Sequence, residues 1–361
     1  MNKNLKKFSV DSDIKKAETI PSYFYKESDY FNASLDKIFA NSWQFISHYD
    51  ELNEVSLFPF YFLSDTINEP LVLSVDKNKI NCLSNVCTHR GNIICTNKDD
   101  KQLRCGYHGR SFELNGKVKY MPGFEDVKDF PSDRDNLKKV QLLNWKNFLF
   151  TSLSKNQNDK NFFNAMDDKL GWYPFDMLQY DENSSKEYII DAHWAIYCEN
   201  YLEGFHVPYV HGGLNKSIDF STYNTETFDN CVLQTTYSKS KESNFSNIDN
   251  CPLEYRDVYA YYFWFFPNIM FNYYSWGLSI NIIEPISKNK TKIKFLSFPL
   301  QDNKQPLNKS DSLDVVELED QNIVEKVHVG LNSKLYHRGR YSPKYEMGVH
   351  HFHKLLCKYL N

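Results

Sequence analysis

Cys87-Thr88-His89 and Cys105-Gly106-Tyr107-His108, fifteen residues apart, constrain this chain more than any other stretch. Each half supplies one thiolate and one imidazole, the first spaced Cys-x-His and the second Cys-x-x-His. Two thiolates on one iron and two imidazoles on the other are the ligand set of a Rieske-type [2Fe-2S] cluster. Neutral imidazoles leave that cluster less negative, and at a higher potential, than an all-cysteine one. Gly91, Gly106 and Gly109 allow the backbone to come close to the sulfides, and Arg90 and Tyr107 are placed to hydrogen-bond around the ligands. Tetrahedral zinc accepts the same four donors, but zinc fingers usually pair Cys with Cys and His with His. Here each half mixes the two. Cys87, His89, Cys105 and His108 are therefore predicted to hold an iron–sulfur cluster.

With 361 residues the chain has room for two or three domains or one large one. A net charge of −4 without a long basic run argues against nucleic acid as a partner. Its 25 Tyr and 27 Phe supply both a large core and material for an aromatic-lined pocket. Of eight cysteines, the box claims two. Cys82, Cys95, Cys198, Cys231, Cys251 and Cys357 are scattered, as expected of small buried residues in a reducing compartment. Met1 to Val10 carries lysines but no apolar stretch, so no secretory signal is expected, and Asp11, Asp13 and Glu18 speak against an organellar transit peptide. No charged residue lies between Asp257 and Glu284, yet Pro267, Asn268, Asn272 and Asn281 interrupt that run and its bulk is aromatic. It predicts buried strands around a turn at Pro267-Asn268, not a membrane helix. The expectation is a soluble, cytoplasmic protein with no membrane partner.

Phe31, Leu35, Ile38 and Phe39 recur at helical spacing and predict an amphipathic helix over Asp29 to Trp43. From Gln44 to about Leu153 the pattern turns to short β-type runs, among them Tyr61–Leu63, Leu71–Val75, Ile80–Leu83 and Val140–Leu143, with a turn at Asn115-Gly116. This predicts an N-terminal segment (1–43) packing on a catalytic domain, a β domain (44–153) with the cluster at the tips of two loops, and a catalytic domain (161–361). Ser154 to Lys160 is the predicted linker, and Ser238 to Asn250 reads as a surface loop.

A second set of metal-binding residue types occupies Glu199 to His211. On a helix Glu203 and His206 share a face, whereas His206 and His211 diverge by about 140°. Pro208 between them kinks or ends the helix, which can bring the imidazoles together. Two His and one carboxylate form the facial triad of non-haem Fe(II) oxygenases. The carboxylate is sought on the helix predicted over Leu318 to Val327. Asp320 aligns there with Val324, Val327 and Leu331, while Glu319 aligns with Ile323 and Lys326 nearer the edge. A core-facing acid needs something to neutralise it, which makes Asp320 the predicted third ligand and Glu319 the alternative. His350-His351-Phe352-His353 is read as a packed C-terminal helix or strand.

From about Trp43 to Leu360 the chain resembles the α-subunits of Rieske non-haem iron oxygenases. The resemblance implies an α+β fold: a β-sandwich Rieske domain followed by a catalytic domain of helix-grip type. It places Cys87, His89, Cys105 and His108 on the cluster ligands and His206, His211 and Asp320 on the mononuclear Fe(II) ligands. Glu203 falls on the acid that bridges the mononuclear site to a neighbouring subunit's Rieske histidine, and Asn200 is counted with it as a catalytic residue. A homotrimer is implied. Asn200–Pro208, Phe266–Met270, and Gly330–Ser333 through Gly339-Arg340-Tyr341 to His350–His353 look most like the choline monooxygenase and glycine-betaine oxygenase branch. Ser279-Ile280-Asn281, His328 and the Gly212-Gly213 pair after His211 depart from that branch and bear on the substrate.

The function implied is that of a mono- or dioxygenase component. It would use O₂ and electrons from NAD(P)H to hydroxylate or N-demethylate a small quaternary-ammonium substrate. The chain has no Gly-rich dinucleotide fingerprint, so nicotinamide and flavin are expected on a separate reductase, with a ferredoxin as optional intermediary. Tyr259, Tyr261, Tyr262, Trp264, Phe266, Phe271, Tyr273, Tyr274 and Trp276 offer an aromatic wall, of which more than half is expected to be core. The rivals are an aromatic-ring hydroxylating oxygenase and a plain Rieske electron carrier, the latter leaving the second triad without a use.

Overall fold

Alternating β-branched and aromatic runs separated by turn residues dictate two antiparallel assemblies. The computed structural model describes residues 5–53, 55–77, 79–155, 161–240, 244–301 and 313–361. The chain divides into two compact units, one formed by residues 39–158 and the other by 1–38 together with 159–361.

The unit of residues 39–158 contains β1 (Gln44–His48), β2 (Leu57–Phe62), β3 (Glu69–Asp76), β4 (Lys79–Ser84), β5 (Leu103–Arg104), β6 (Ser111–Phe112), β7 (Val118–Tyr120), β8 (Lys139–Trp145) and β9 (Phe148–Ser152). Six of these form one sheet in the order β1-β9-β8-β4-β3-β2, and β5-β6-β7 form a small second sheet. Leu57, Val72, Leu83, Leu103, Phe112 and Leu137 make its core, and Cys87 and Cys105 are buried in that same cluster. The two thiols are thus rooted in a hydrophobic core of the unit. The Asn115-Gly116 turn forms as expected, with Gly116 at φ +87°.

The other unit has a seven-stranded antiparallel sheet in the order β10-β16-β15-β14-β13-β12-β11. Its strands are β10 (Asp181–Ile190), β11 (Ile218–Thr227), β12 (Cys231–Ser238), β13 (Val258–Phe265), β14 (Ile269–Tyr274), β15 (Gly277–Ser287) and β16 (Lys290–Pro299). The helices are α1 (Tyr23–Lys26), α2 (Ser28–Lys37), α3 (Asn164–Leu170), α4 (Trp194–Tyr201), α5 (Val207–Val210), α6 (Leu214–Ser217), α7 (Leu313–Leu331) and α8 (Met347–Leu360). The uncharged stretch forms β13, a turn at Pro267-Asn268, β14 and the first part of β15, and is largely buried. Among the described residues no helix is long and apolar enough to cross a membrane.

Alternation along β13 splits its rings between the two faces. Phe263 and Phe265 stack on one face, where Phe163 meets Phe265 at 4.9 Å. Trp264 points to the opposite face and meets Phe352 of α8 at 5.2 Å. Residues 5–38 pack on α8 and α4: Phe8 and Asn361 exchange hydrogen bonds, and Tyr25 donates to Glu199 at 2.6 Å.

Three expectations need correction. The predicted helix over Asp29 to Trp43 ends at Lys37, and a 3₁₀ turn (Phe39–Asn41) follows. Ile38, in the turn between them, and Phe39 are both buried, which imitates a continued helix in the sequence. The Ser238–Asn250 loop is not wholly superficial: Phe245 is fully buried, 5.4 Å from the Tyr261 ring, while residues 241–243 lie outside the described set. In α7 Val327 is exposed, and the buried positions are Glu317, Val324, His328 and Leu331. Most of the predicted linker, residues 156–160, lies outside the described residues.

Candidate metal centres

Two loops of matching shape carry the four residues of the Cys/His box. The Cys87 carbonyl accepts from Gly91 N–H at 2.9 Å, and the Cys105 carbonyl accepts from Gly109 N–H at 3.0 Å. Both glycines stand at φ +75°, a conformation side chains rarely tolerate. Each loop is closed again from the cysteine N–H, to the Asn92 carbonyl at 2.8 Å and to the Arg110 carbonyl at 2.8 Å. The thiols are buried and within hydrogen-bonding reach of each other, while the imidazoles of His89 and His108 sit half-buried at the loop tips, ring centroids 4.9 Å apart. Burial pushes the Cys87 thiol up. At Cys105 burial acts in the same sense but is outweighed by the backbone N–H groups of Tyr107 and His108, by Cys87 and by Asn92, and its pKa is lowered. Two inward thiols and two outward imidazoles fit a [2Fe-2S] cluster with sulfur on its inner iron and nitrogen on its outer one.

The surroundings differ from expectation in one respect. Arg90 lies over the Tyr107 ring at 5.8 Å, and that ring is tilted 37° against His108 with centroids 3.7 Å apart. The side-chain donor near sulfur is Asn92, whose amide reaches Cys105 Sγ at 3.6 Å. The residue missed from the sequence is Arg110. It is 2% exposed, donates to Thr88 Oγ1 at 3.0 Å, pairs with Asp135 at 3.6 Å and lies over the rings of Phe124 and Phe130. No periodicity or spacing marks such an arginine in advance.

In the other unit the local fold of residues 202–211 differs from the expected helix running through Glu203 and His206 to a kink or end at Pro208. α4 stops at Tyr201, and Glu203 and Gly204 are in coil. A Cβ on Gly204 would lie 2.3 Å from the Tyr223 ring, so the backbone here runs directly against that ring. Glu203 still reaches His206, through a turn and not along a helix face: Oε2 accepts from His206 N–H at 3.1 Å and Oε1 lies 2.6 Å from Nδ1. Pro208 sits in the first turn of the short α5, where its missing N–H costs nothing. His206 and His211 bracket that turn, with ring centroids 5.0 Å apart.

α7 brings the acids. Asp320 Oδ1 lies 3.0 Å from His211 Nε2 and 3.5 Å from His206 Nε2. It also accepts from Asn200 Nδ2 at 2.7 Å. Glu319 Oε2 lies on the other nitrogen of the second ring, 2.8 Å from His211 Nδ1. Both Nε2 atoms therefore converge with Asp320, while both Nδ1 atoms are held by carboxylates, which fixes tautomer and ring orientation in the way metal-bound imidazoles require. Donor atoms of His206, His211 and Asp320 lie within 4.8 Å of one another. Burial disfavours a charged His211, but Asp320 and Glu319 outweigh it and raise its pKa. The donor set fits an Fe(II) held by two imidazoles and one carboxylate, with positions left open.

A cavity of about 140 Å³ opens beside these three residues. That is near the space that holds a benzene ring in an engineered protein cavity. Its floor follows cross-strand register: Tyr262, Asn272 and Ser279 are successive partners across β13, β14 and β15, and Asn281 pairs with Phe295 in the next row. Tyr259 joins them because a β-bulge interrupts the β12–β13 register beside it. Tyr201, Tyr223 and Tyr274 complete an aromatic lining. Tyr201 donates to Asn272 Oδ1 at 2.7 Å, and Asn281 Oδ1 accepts from Asn272 and from Ser279. Glu317 also lines the cavity, buried, accepting from Tyr197 at 2.5 Å and from Gln321 at 2.9 Å. Burial pushes its pKa up to about 8. Sequence reading missed Glu317, Tyr201 and Tyr223. The His350–His353 group does not add a site: His350 bonds the Asp11 carbonyl, and His353 lies between Tyr341 and Glu199.

Residues 176–361, more than half of the chain, match the family model of the ring hydroxylating alpha subunit, catalytic domain. The chain belongs to that family. Ahead of the catalytic domain this ring-hydroxylating alpha subunit carries a Rieske [2Fe-2S] domain, matched over residues 42–131. It is similar to choline monooxygenase of Arabidopsis thaliana, 28% identical over 99% of this chain and 86% of that protein. It is also 28% identical to the carnitine monooxygenase oxygenase subunit of Escherichia coli K12, over 95% of this chain and 94% of the other. Among solved structures, a quaternary ammonium Rieske monooxygenase described in terms of carnitine oxidation and inter-subunit electron transfer superimposes with a TM-score of 0.80. That pair is 23% identical over 99% of this chain and 100% of that one. This alpha subunit is thus an iron-dependent oxidoreductase of the Rieske oxygenase type.

Proposed function

We propose that this alpha subunit is a monooxygenase component that oxidises a small quaternary-ammonium compound, of the choline, betaine or carnitine class. The observation that carries the reading is the tyrosine-lined cavity beside His206, His211 and Asp320. Cationic methylammonium groups bind to aromatic faces, each ring contributing about 0.5–2 kcal/mol. The relatives whose names state choline and carnitine support the same class.

Cys87, His89, Cys105 and His108 hold the cluster; His206, His211 and Asp320 hold the mononuclear iron. Iron in that position supplies O₂ activation next to the substrate. The protein supplies the rest. Glu203 and Glu319 fix the two imidazoles through Nδ1. Asn200 fixes Asp320. Tyrosines exclude water around the substrate, and Asn272, Ser279 and Asn281 offer hydrogen bonds to its polar end. Electrons come from NAD(P)H through a separate flavin-bearing reductase. They pass between subunits of a homotrimer, where Glu203, 14% exposed at its side chain, accepts a hydrogen bond from a neighbour's cluster histidine. Eight unpaired cysteines suit the cytoplasm.

Purified protein, loaded with iron and supplied with a generic Rieske reductase and NADH, tests this. Choline, glycine betaine and carnitine are compared with benzoate and naphthalene under ¹⁸O₂. Label in a quaternary-ammonium product, or formaldehyde from demethylation, is the expected result. Turnover of the aromatic substrates alone would replace the reading with ring hydroxylation.

A further inference from the structure

Three carboxylates line the cavity, and two have evident work: Asp320 faces both imidazoles and Glu203 holds His206. Glu317 does neither. It sits on α7 one turn before Asp320, and it is 5% exposed. Its two recorded donors, the Tyr197 hydroxyl and the Gln321 amide, are both neutral. Among the described residues that line the cavity there is no lysine or arginine. A buried carboxylate without a cation beside it is costly, and a cation entering the cavity would offset that cost.

We infer that Glu317 is a specificity-determining residue, the counter-charge for the cationic nitrogen of the substrate; this rests on the quaternary-ammonium reading above. A quaternary nitrogen has no N–H, so its attraction to Glu317 is Coulombic and needs proximity, not hydrogen-bond geometry. The tyrosine faces orient the methyl groups, and the carboxylate supplies the full negative charge that the rings lack. Burial favours the neutral acid, and a cation at its side acts in the opposite sense.

The test is equilibrium binding by calorimetry to the iron-loaded protein, with choline and its uncharged isostere 3,3-dimethylbutan-1-ol as probes. Wild type should prefer choline by about tenfold or more, and Glu317→Gln should lose about tenfold in choline affinity while the alcohol changes less than about twofold. Glu317→Asp should recover part of the preference. Glu317→Gln with wild-type preference for choline overturns the role of Glu317 and leaves the substrate reading standing. A wild type that does not distinguish the two probes overturns the substrate reading, and the counter-charge with it. Should Glu317→Gln fail to retain iron, Tyr197→Phe decides: it keeps the charge and must keep the preference, and loss of the preference overturns the inference.

Discussion

Replacing Glu203 by Gln removes a negative charge from His206 and halves the number of acceptors facing it. In the wild type both carboxylate oxygens serve that residue, Oε1 at 2.6 Å from Nδ1 and Oε2 at 3.1 Å from the backbone N–H. Glutamine offers one oxygen and places an NH₂ against the other donor. The loss is one charge-assisted hydrogen bond, about 1–3 kcal/mol. That corresponds to roughly five- to hundredfold weaker iron binding, in line with the effect of altering groups behind metal ligands. Excess ferrous iron should therefore refill the site. Electron delivery should not recover, because the amide keeps one acceptor oxygen where the carboxylate has two and carries no charge to draw an incoming histidine N–H. The assay is rapid mixing of the reduced protein, fully iron-loaded, with O₂ and choline, following the visible absorbance of the cluster. Re-oxidation at least about tenfold slower than wild type is expected. Wild-type re-oxidation at full iron would refute the bridge. Iron loss that excess metal cannot restore would make Glu203 a ligand.

Gly204→Ala should lower the denaturant midpoint by the equivalent of about 1–3 kcal/mol, because its Cβ would lie 2.3 Å from the Tyr223 ring; an unchanged midpoint argues against that close approach. Arg110→Met leaves Asp135 without its buried partner and should cost about 3 kcal/mol, seen as earlier thermal bleaching of the cluster absorbance. Equal bleaching temperatures would show the pair to be unimportant. Burial holds His193 down at about 3, far below its ordinary value, with His328 adding to the effect. Its contribution to stability is complete above about pH 6.5 and is lost as pH falls, because the unfolded chain takes up the proton first. Wild type should lose about 1 kcal/mol more than His193→Gln between pH 6.5 and 5.5, measured by urea unfolding at each pH. Parallel curves would place the acid sensitivity elsewhere.

The cluster loops were legible because their chemistry is local: four ligands in two short spacings, each followed by a glycine that the structure holds at φ +75°. Strands such as Leu71–Val75 were legible from β-branched residues. The structure brings His206 and His211 side by side, as their spacing around Pro208 suggested, but Glu203 reaches the first ring across the turn that follows α4 and not along a helix face. On α7 the buried face lies roughly 40° round from the apolar stripe expected, with Glu317 and His328 on it in place of Asp320 and Val327. An acid at the centre of a buried face contradicts binary patterning, so the residue that matters there was passed over. The cavity floor depends on sheet register and on a bulge beside Tyr259, neither of which a single strand records.

The central claim is two separate iron sites in one chain, and metal content in a matched pair of proteins tests it most directly. Asp320 Oδ1 lies 3.0 Å from His211 Nε2, whereas Glu319 stands on the far nitrogen at 2.8 Å. Wild type should hold about three irons and two labile sulfides per chain. Asp320→Ala should hold about two of each, with the Rieske absorbance unchanged and no turnover, while Glu319→Ala keeps three irons. A wild type with two irons, or Asp320→Ala retaining three, would contradict the account.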